Sequence, residues 1–426
     1  MTYALHIPAF VNYECQLCGW CCHQYDITFS QADFDRLENH DWGKLEPSLA
    51  GQEWAAPLRD RRTPDRYRLR YASDGACVFL KDNLCLMHKH VGELGKTLGC
   101  CVYPFTFVST PTGVYVGLRF SCRAVAFGIG EPVVRLEKSL RQQLELCEKA
   151  GHVPRYDKNV RFSGRTTIPW DDYLELEQVL LRVFLRDDLP LVRRLYLAHK
   201  FLEILRRARL ERVRGQRFRE LVVVLEAGLL HEAESEPLPE GIGGLWRVMF
   251  RQFCFLFQRR QGGAYRELGL LGKLGVRLRT FRTGIQFARG RGRVELPDVE
   301  TGIDLDALRD VEVGRLNQAQ EQALSRFLAG KIYGKQHFGK LFFNYSLRRG
   351  LEFLLLSAGA VLWYARVLAL ARGDKQVSTD DVIEAVRYVD FCYGYSAAPA
   401  LILERLRVQL LSQEDRAIRL VLSQYL

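Results

Sequence analysis

Cys15-Gln16-Leu17-Cys18-Gly19-Trp20-Cys21-Cys22 places three thiols at successive two-residue gaps, with a fourth directly after the last. A chain that folds back between such cysteines brings their sulfurs round one point, and Gly19 supplies the backbone freedom the turn requires. More thiols follow. Cys77 and Cys85 flank a segment that reads as a hairpin with Asp82-Asn83 at its tip, Cys100 and Cys101 precede Tyr103-Pro104, and Cys122 follows a strand. Zinc and iron–sulfur centres both take four thiolates. Zinc ribbons usually bring two cysteine knuckles; a run of three completed by a distant fourth is the ferredoxin pattern. An iron–sulfur cluster, of the 4Fe–4S type for example, is therefore preferred, with zinc as the alternative. The expected ligands are Cys15, Cys18, Cys21, Cys22, Cys77, Cys85, Cys100 and Cys122. Cys15, Cys18 and Cys21 with one remote thiolate make one centre; the others make a second centre or an exchangeable site. Adjacent Cys21 and Cys22 do not easily wrap the same small centre. Cys101 is not needed if Cys100 ligates.

The distribution of cysteines carries the same message. Nine of the 12 lie between Cys15 and Cys122, while Cys147, Cys254 and Cys392 stand singly in apolar helical settings and read as core residues. Met1 to Phe10 has neither a basic head nor a long apolar stretch, so no secretory signal and a cytoplasmic location are expected. Thiols crowded into one part of a large cytosolic chain read as metal ligands rather than as a disulfide framework.

The whole chain has 426 residues, 48% hydrophobic and 26% charged, with 14 prolines. That composition excludes a mostly disordered polymer, and the length suggests two or three domains. The most apolar run, Phe353 to Ala365, has 13 residues, short of the ~20 that a membrane span needs. No membrane span is expected.

The pattern changes near residue 150. Before it come short strand-like pieces (Tyr67 to Tyr71, Cys77 to Leu80, Val114 to Phe120), a helix starting after Ser30 with Asp33 in its first turn, and an amphipathic run from Glu131 to Ala150. Gly151 to Pro169 reads as a boundary loop. Beyond it, three- and four-residue apolar spacing predicts helices over Asp171 to Leu185, Leu191 to Arg212, Phe218 to Glu232, Leu245 to Arg260, Leu347 to Arg372, Thr379 to Tyr393 (capped by Ser378) and Pro399 to Tyr425. The fold class is mainly α: a small Cys-rich α+β metal-binding domain over residues 1–150 and an all-helical domain over residues 151–426.

With these residues in view, the N-terminal part resembles the CxxCxxCC proteins, also called the YkgJ-type zinc- or iron-chelating family. The likeness rests on Cys15-x2-Cys18-Gly19-x-Cys21-Cys22, Ile27 followed by the helix at Ser30 to Leu37, Cys77-Val78-Phe79-Leu80, Cys85-x2-His88 and Cys100-x3-Pro104-Phe105, over approximately residues 10–125. The resemblance implies metal chelation by this cluster. Family members usually carry an Arg-Pro pair before the cysteine matching Cys100, where this chain has Lys96-Thr97, and an arginine directly after it. They also carry an aromatic residue where His88 stands. A weaker likeness to flagellin lysine N-methylase implies a cysteine cluster that serves methyl transfer.

Other features add less. His23, His88 and His90 lie near cysteines, and His88 is the best placed to replace a thiolate. Arg247 to Arg293 holds twelve basic residues (Arg247, Arg251, Arg259, Arg260, Arg266, Lys273, Arg277, Arg279, Arg282, Arg289, Arg291 and Arg293) against the single acid Glu267. Glycines such as Gly262, Gly263, Gly290 and Gly292 loosen its second half. The segment could draw nucleic acid or an acidic face. Yet Glu295, Asp298, Glu300, Asp304, Asp306, Asp310 and Glu312 follow it, so the two segments are expected to pair, and nucleic acid is not the expected partner. Gly128-Ile129-Gly130 lacks the third glycine of a dinucleotide loop, and no nucleophile elbow or His-Glu-x-x-His helix occurs. The expected function is metal binding by a cysteine cluster that is structural or senses redox state, with the helical part engaging a protein partner. The alternative is an S-adenosylmethionine-dependent protein lysine N-methyltransferase; that cofactor is expected only in the second case, and no catalytic residue is assigned.

Overall fold

The computed structural model describes residues 4–58, 66–208, 210–232, 236–258, 269–296, 299, 302–394 and 396–425. It is mainly helical, with short strands concentrated before residue 170. The helix Leu347–Ala371 is the organising element: nineteen of its 25 residues are buried. It packs along Thr379–Tyr393 and Arg416–Leu422, and Trp170–Leu185 packs on Gln318–Tyr333. By length and composition alone Leu347–Ala371 would cross a membrane, but 83% of its most apolar window is buried inside the protein. The 13-residue run seen in the sequence thus lies within a longer apolar helix, and that helix serves as the centre of the core.

The helix starts follow ordinary capping chemistry. Ser30 accepts from the Asp33 N–H at 3.2 Å at the start of Gln31–Glu38. Ser378 and Asp381 form a reciprocal box before Thr379–Tyr393. Asn317 and Gln320 form another before Gln318–Tyr333, a helix the apolar spacing did not reveal.

Several boundaries differ from the sequence-based expectation. Glu131 to Ala150 begins with the strand Glu131–Pro132 and becomes α-helical only over Glu137–Lys149. The expected loop after residue 150 contains a hairpin, Asn159–Ser163 with Thr166–Pro169, turned at Gly164 with φ of +54°. The long C-terminal helix is broken into Ile402–Leu411 and Arg416–Leu422, with Glu414 at φ 54° between them. Leu245–Cys254 is followed by a 3-10 turn, Phe255–Gln258; the expected continuation to Arg260 lies outside the described residues.

Two main apolar cores result, with a minor cluster of Ala126, Ala323 and Ile383 beside them. A small one holds Phe29, Leu37, Trp42, Leu49, Leu69, Cys77, Phe79, Leu86 and Met87, all between residues 29 and 87. The large one gathers the helices and also takes in Phe105, Phe107, Val116 and Leu118 from the antiparallel hairpin Phe105–Thr110/Gly113–Leu118, together with Leu140 and Cys147. Apolar packing is thus continuous across residue 150.

Candidate metal centre

The cysteine motif is held by backbone geometry. Leu17 and Gly19 both take positive φ, 49° and 66°, which folds the chain back between Cys15 and Cys21. The short helix Trp20–Gln24 then carries Cys21 and Cys22. A Cβ on Gly19, at φ 66°, would lie 3.2 Å from Leu80 Cδ2 and 3.3 Å from Asn83 Oδ1, so glycine suits both the left-handed backbone and the close approach of the hairpin tip. That hairpin, Leu80–Lys81 with Leu84–Cys85, turns at Asp82 and Asn83, both in the left-handed region as a tight two-residue turn requires. The Cys77 N–H donates to the Cys22 carbonyl at 2.9 Å and ties the second thiol segment to the first.

Cys100 lies in the helix Leu98–Val102. Asp33 accepts from the Leu98 N–H at 3.2 Å, and Arg36 donates to the Lys96 carbonyl at 2.8 Å, so Gln31–Glu38 fixes the approach to Cys100. Cys122 starts the helix Arg123–Phe127, directly after Ser121, whose N–H donates to Asp390 Oδ2 at 2.8 Å. Asp390 is paired with Lys331, and both side chains are fully buried. Burial pulls Lys331 down to about 8, against the opposing pull of Asp390.

The electrostatic neighbourhoods of the thiols form two overlapping sets. Cys22 senses Cys21, Cys77 and Cys85; Cys77 senses Cys100, Cys85 and Cys21; Cys100 senses Cys85 and Cys21. On the other side, Cys122 senses Cys21 and Cys18, and the buried Tyr13 hydroxyl senses Cys15, Cys122 and Cys21. Cys21 is common to both sets. Its sulfur lies 4.0 Å from that of Cys22, and this contact lowers Cys21 while raising Cys22. Burial pushes Cys77 and Cys100 up to about 12, and Cys122 up to about 11. Lys96 opposes the shift at Cys100 and assists that at Cys21. It stands where the resemblance led us to look for an arginine. Among the described residues, no group of three or more His, Cys, Asp or Glu side chains stands close enough to hold a metal ion as it is.

No disulfide links any of the twelve cysteines; Cys15 and Cys18 are exposed and Cys77 and Cys101 buried. Cys101 is buried beside Cys100 in the helix Leu98–Val102. Cys147, Cys254 and Cys392 belong to the large core, and Cys392 donates to the Phe257 carbonyl at 2.8 Å. His23 and His88 are exposed, and His90 lies 4.0 Å from Glu46. Residue spacing does not foresee Tyr13 or the docking partners Arg387 and Phe391. The Arg387 guanidinium lies 4.8 Å from the Trp20 ring centre, and the Phe391 ring meets that of Trp20 edge-on at 5.7 Å and lies tilted 5.1 Å from that of Tyr25. Those contacts seat the cysteine motif on the helix Thr379–Tyr393.

The basic segment is only partly described: Arg259, Arg260, Arg266, Glu267, Gly262 and Gly263 lie outside, as do Asp298 and Glu300 in the acidic stretch. Pairing of the two stretches is visible at their junction, where Arg291 lies 3.6 Å from Asp306 and Arg293–Val294 pairs with Ile303–Asp304. The helix Leu270–Arg289 carries Lys273, Arg277, Arg279 and Arg282.

Comparison with known proteins adds the following. The model of the CxxCxxCC family, described as "Putative zinc- or iron-chelating domain", matches residues 14–118. An uncharacterized protein of Methanocaldococcus jannaschii, MJ0939, is 30% identical over 96 residues. That match takes in 22% of this chain and spans only 30% of the relative's length. No solved structure matches the chain.

Proposed function

We propose, from the match of residues 14–118 to the CxxCxxCC family model, that this chain is a metal-binding protein whose early thiols hold an iron–sulfur cluster, or zinc in its place. The observation that carries the reading is that match to a zinc- or iron-chelating family model, supported by the hydrogen bond from the Cys77 N–H to the Cys22 carbonyl, which ties two thiol segments together. The donor set fits by chemistry. Soft thiolates select zinc and iron–sulfur centres over hard cations, and the burial that disfavours bare thiolates here is relieved when a metal takes the proton's place. Cys22, Cys77, Cys85 and Cys100 are the candidate ligands of the inner set; Cys15, Cys18 and Cys122 are those of the outer set, with Cys21 between them.

Such a centre supplies cross-linking of distant chain segments and, if it contains iron, one-electron chemistry. The chain's own residues position the thiols: Gly19 admits the hairpin tip, Asp33 and Arg36 fix the approach to Cys100, and Asp390 fixes Ser121 beside Cys122. Trp20 and Tyr25 connect the motif to the helical body, which gives a route for a change at the centre to reach a protein partner docked on that body. Anaerobic purification with iron, zinc and acid-labile sulfide analysis tests the reading. Iron and sulfide with visible absorbance support the cluster, zinc in a colourless protein supports the structural version, and neither metal refutes both. Methyl transfer has a separate test, the binding of labelled S-adenosylmethionine to metal-replete protein.

A further inference from the structure

The hairpin after residue 158 and the start of the central helix enclose a pocket of about 210 Å³ whose lining includes four arginines, Arg161, Arg348, Arg349 and Arg405, and no carboxylate. They come from three directions: Arg161 from the strand Asn159–Ser163, Arg348 and Arg349 from the first turn of Leu347–Ala371, and Arg405 from Ile402–Leu411. Three of the four are braced by the protein. Arg161 donates to the Asn344 carbonyl. Arg405 donates to the Ala400 carbonyl at 3.2 Å and lies 5.1 Å over the Tyr345 ring. Arg348 is paired with Glu352, and with Glu203 at 3.5 Å.

Arg349 is different. It is half-buried, and no ion pair or hydrogen bond to another described residue engages it. Burial pulls its guanidinium down; Glu352 favours the charge, while neighbouring Arg348 and Arg405 oppose it. A half-buried cation pressed by two like charges, facing a cavity without a carboxylate, is an incomplete electrostatic arrangement. The same cavity receives the start of a 25-residue helix whose first turn carries no acid and whose Ser346 makes no side-chain cap, so its leading N–H groups add to the positive field.

We propose that this pocket binds a small phosphate-bearing ligand, gripped by Arg161, Arg349 and Arg405 with the Ser163 and Ser346 hydroxyls beside it. Guanidinium forks match phosphate oxygens bidentately. Forks approaching from three directions suit a tetrahedral dianion better than a planar carboxylate, which offers its oxygens in one plane. The site is built from residues outside the cysteine segment, so its fate and that of the thiol assignment are separable.

Calorimetric titration of the full-length, metal-replete protein tests it, with inorganic phosphate and glycerol phosphate as the two probes and sodium chloride at matched ionic strength as the baseline. Saturable binding is expected. Tighter binding of the ester identifies an organic phosphate as the ligand class, and equal binding identifies free phosphate; both support the site. Arg349→Gln, which removes no observed internal contact, should weaken binding about tenfold, the worth of one charge-assisted contact. Arg161→Gln should weaken it similarly, and Arg279→Gln, on the helix Leu270–Arg289, should leave it unchanged. Thermal melts establish that each variant is folded. No saturable heat with either probe, or unaltered affinity in folded Arg349→Gln, overturns the proposal.

Discussion

The small core between residues 29 and 87 and the large core around Leu347–Ala371 solve the same problem by different means. The large one buries whole helix faces, including Phe353, Leu356, Val361 and Trp363 in one element alone. The small one has nine buried side chains, one of them Cys77. A stretch of that size seldom folds on apolar burial alone, and it gains from a disulfide or a metal. No disulfide joins any of the cysteines. The contrast teaches that the first region has few buried apolar side chains of its own, with thiols grouped around them, where the second region has whole apolar helix faces.

Removing metal should therefore divide the molecule, and this is the largest effect expected. Chelation under reducing conditions should release hydrogen-exchange protection over residues 15–101 while Leu347–Ala371 stays protected. Structural zinc in small domains contributes on the order of 10 kcal/mol to folding, so the change should be near-complete in the first region. Uniform loss of protection throughout would dissolve the comparison.

The reverse break comes next. Asp390→Ala leaves Lys331 buried without its partner and removes the acceptor of the Ser121 N–H. Breaking a buried pair costs about 3–5 kcal/mol, which should appear as a lower melting temperature of the helical body. Metal content per folded chain should fall in part, because Asp390 fixes Ser121 beside Cys122 of the outer set, while among the described residues no hydrogen bond joins it to the inner set. Full metal in the folded variant would remove Asp390 from the residues that position the thiols.

Substitution of single thiols sharpens the assignment. Cys18→Ser should lose metal and loosen residues 15–101, whereas Cys254→Ser, deep in the large core, should keep full metal and lose only about 1 kcal/mol through altered packing. Atomic absorption on both variants reads the difference. Full metal in both would remove Cys18 from the ligand set.

The smallest effect concerns pH and belongs to the helical body alone. Burial raises the Glu352 carboxyl from 4.5 to about 7, opposed by Arg348 and Ser412, reinforced by Glu203 and opposed again by His199. The native carboxyl holds its proton to higher pH than the unfolded one, so its contribution is complete below 4.5 and declines as pH rises through about 7. Glu352→Gln cannot titrate. The stability of the parent relative to this variant should fall across that window, by at most about 3 kcal/mol. Urea denaturation at several pH values reads it, and a constant difference would contradict the shift.

Much of this architecture was legible in the chain. Ser30, Ser378 and the apolar spacing of Leu347 to Arg372 mark their helices because capping and periodicity act locally. Asp82-Asn83 marks its hairpin because only such residues adopt left-handed backbone cheaply. The hairpin after residue 158 was missed since its alternation is brief and its turn lies at an Arg-rich stretch. The helix Gln318–Tyr333 was missed although Asn317 and Gln320 spell a capping box. At the candidate site, the thiols were readable by type and spacing. Their division into inner and outer sets around Cys21 was not, because it depends on contacts between segments as distant as Cys21 and Cys122. The seating of Trp20 against Arg387 is likewise a product of tertiary packing.

The most direct measurement is iron, zinc and sulfide stoichiometry on anaerobically purified protein, compared between the parent chain and Cys21→Ser. The account predicts bound metal in the parent and its loss in the variant, since Cys21 is the thiol common to both neighbourhoods. A parent protein isolated without iron or zinc, or a Cys21→Ser variant retaining all of its metal, would contradict it.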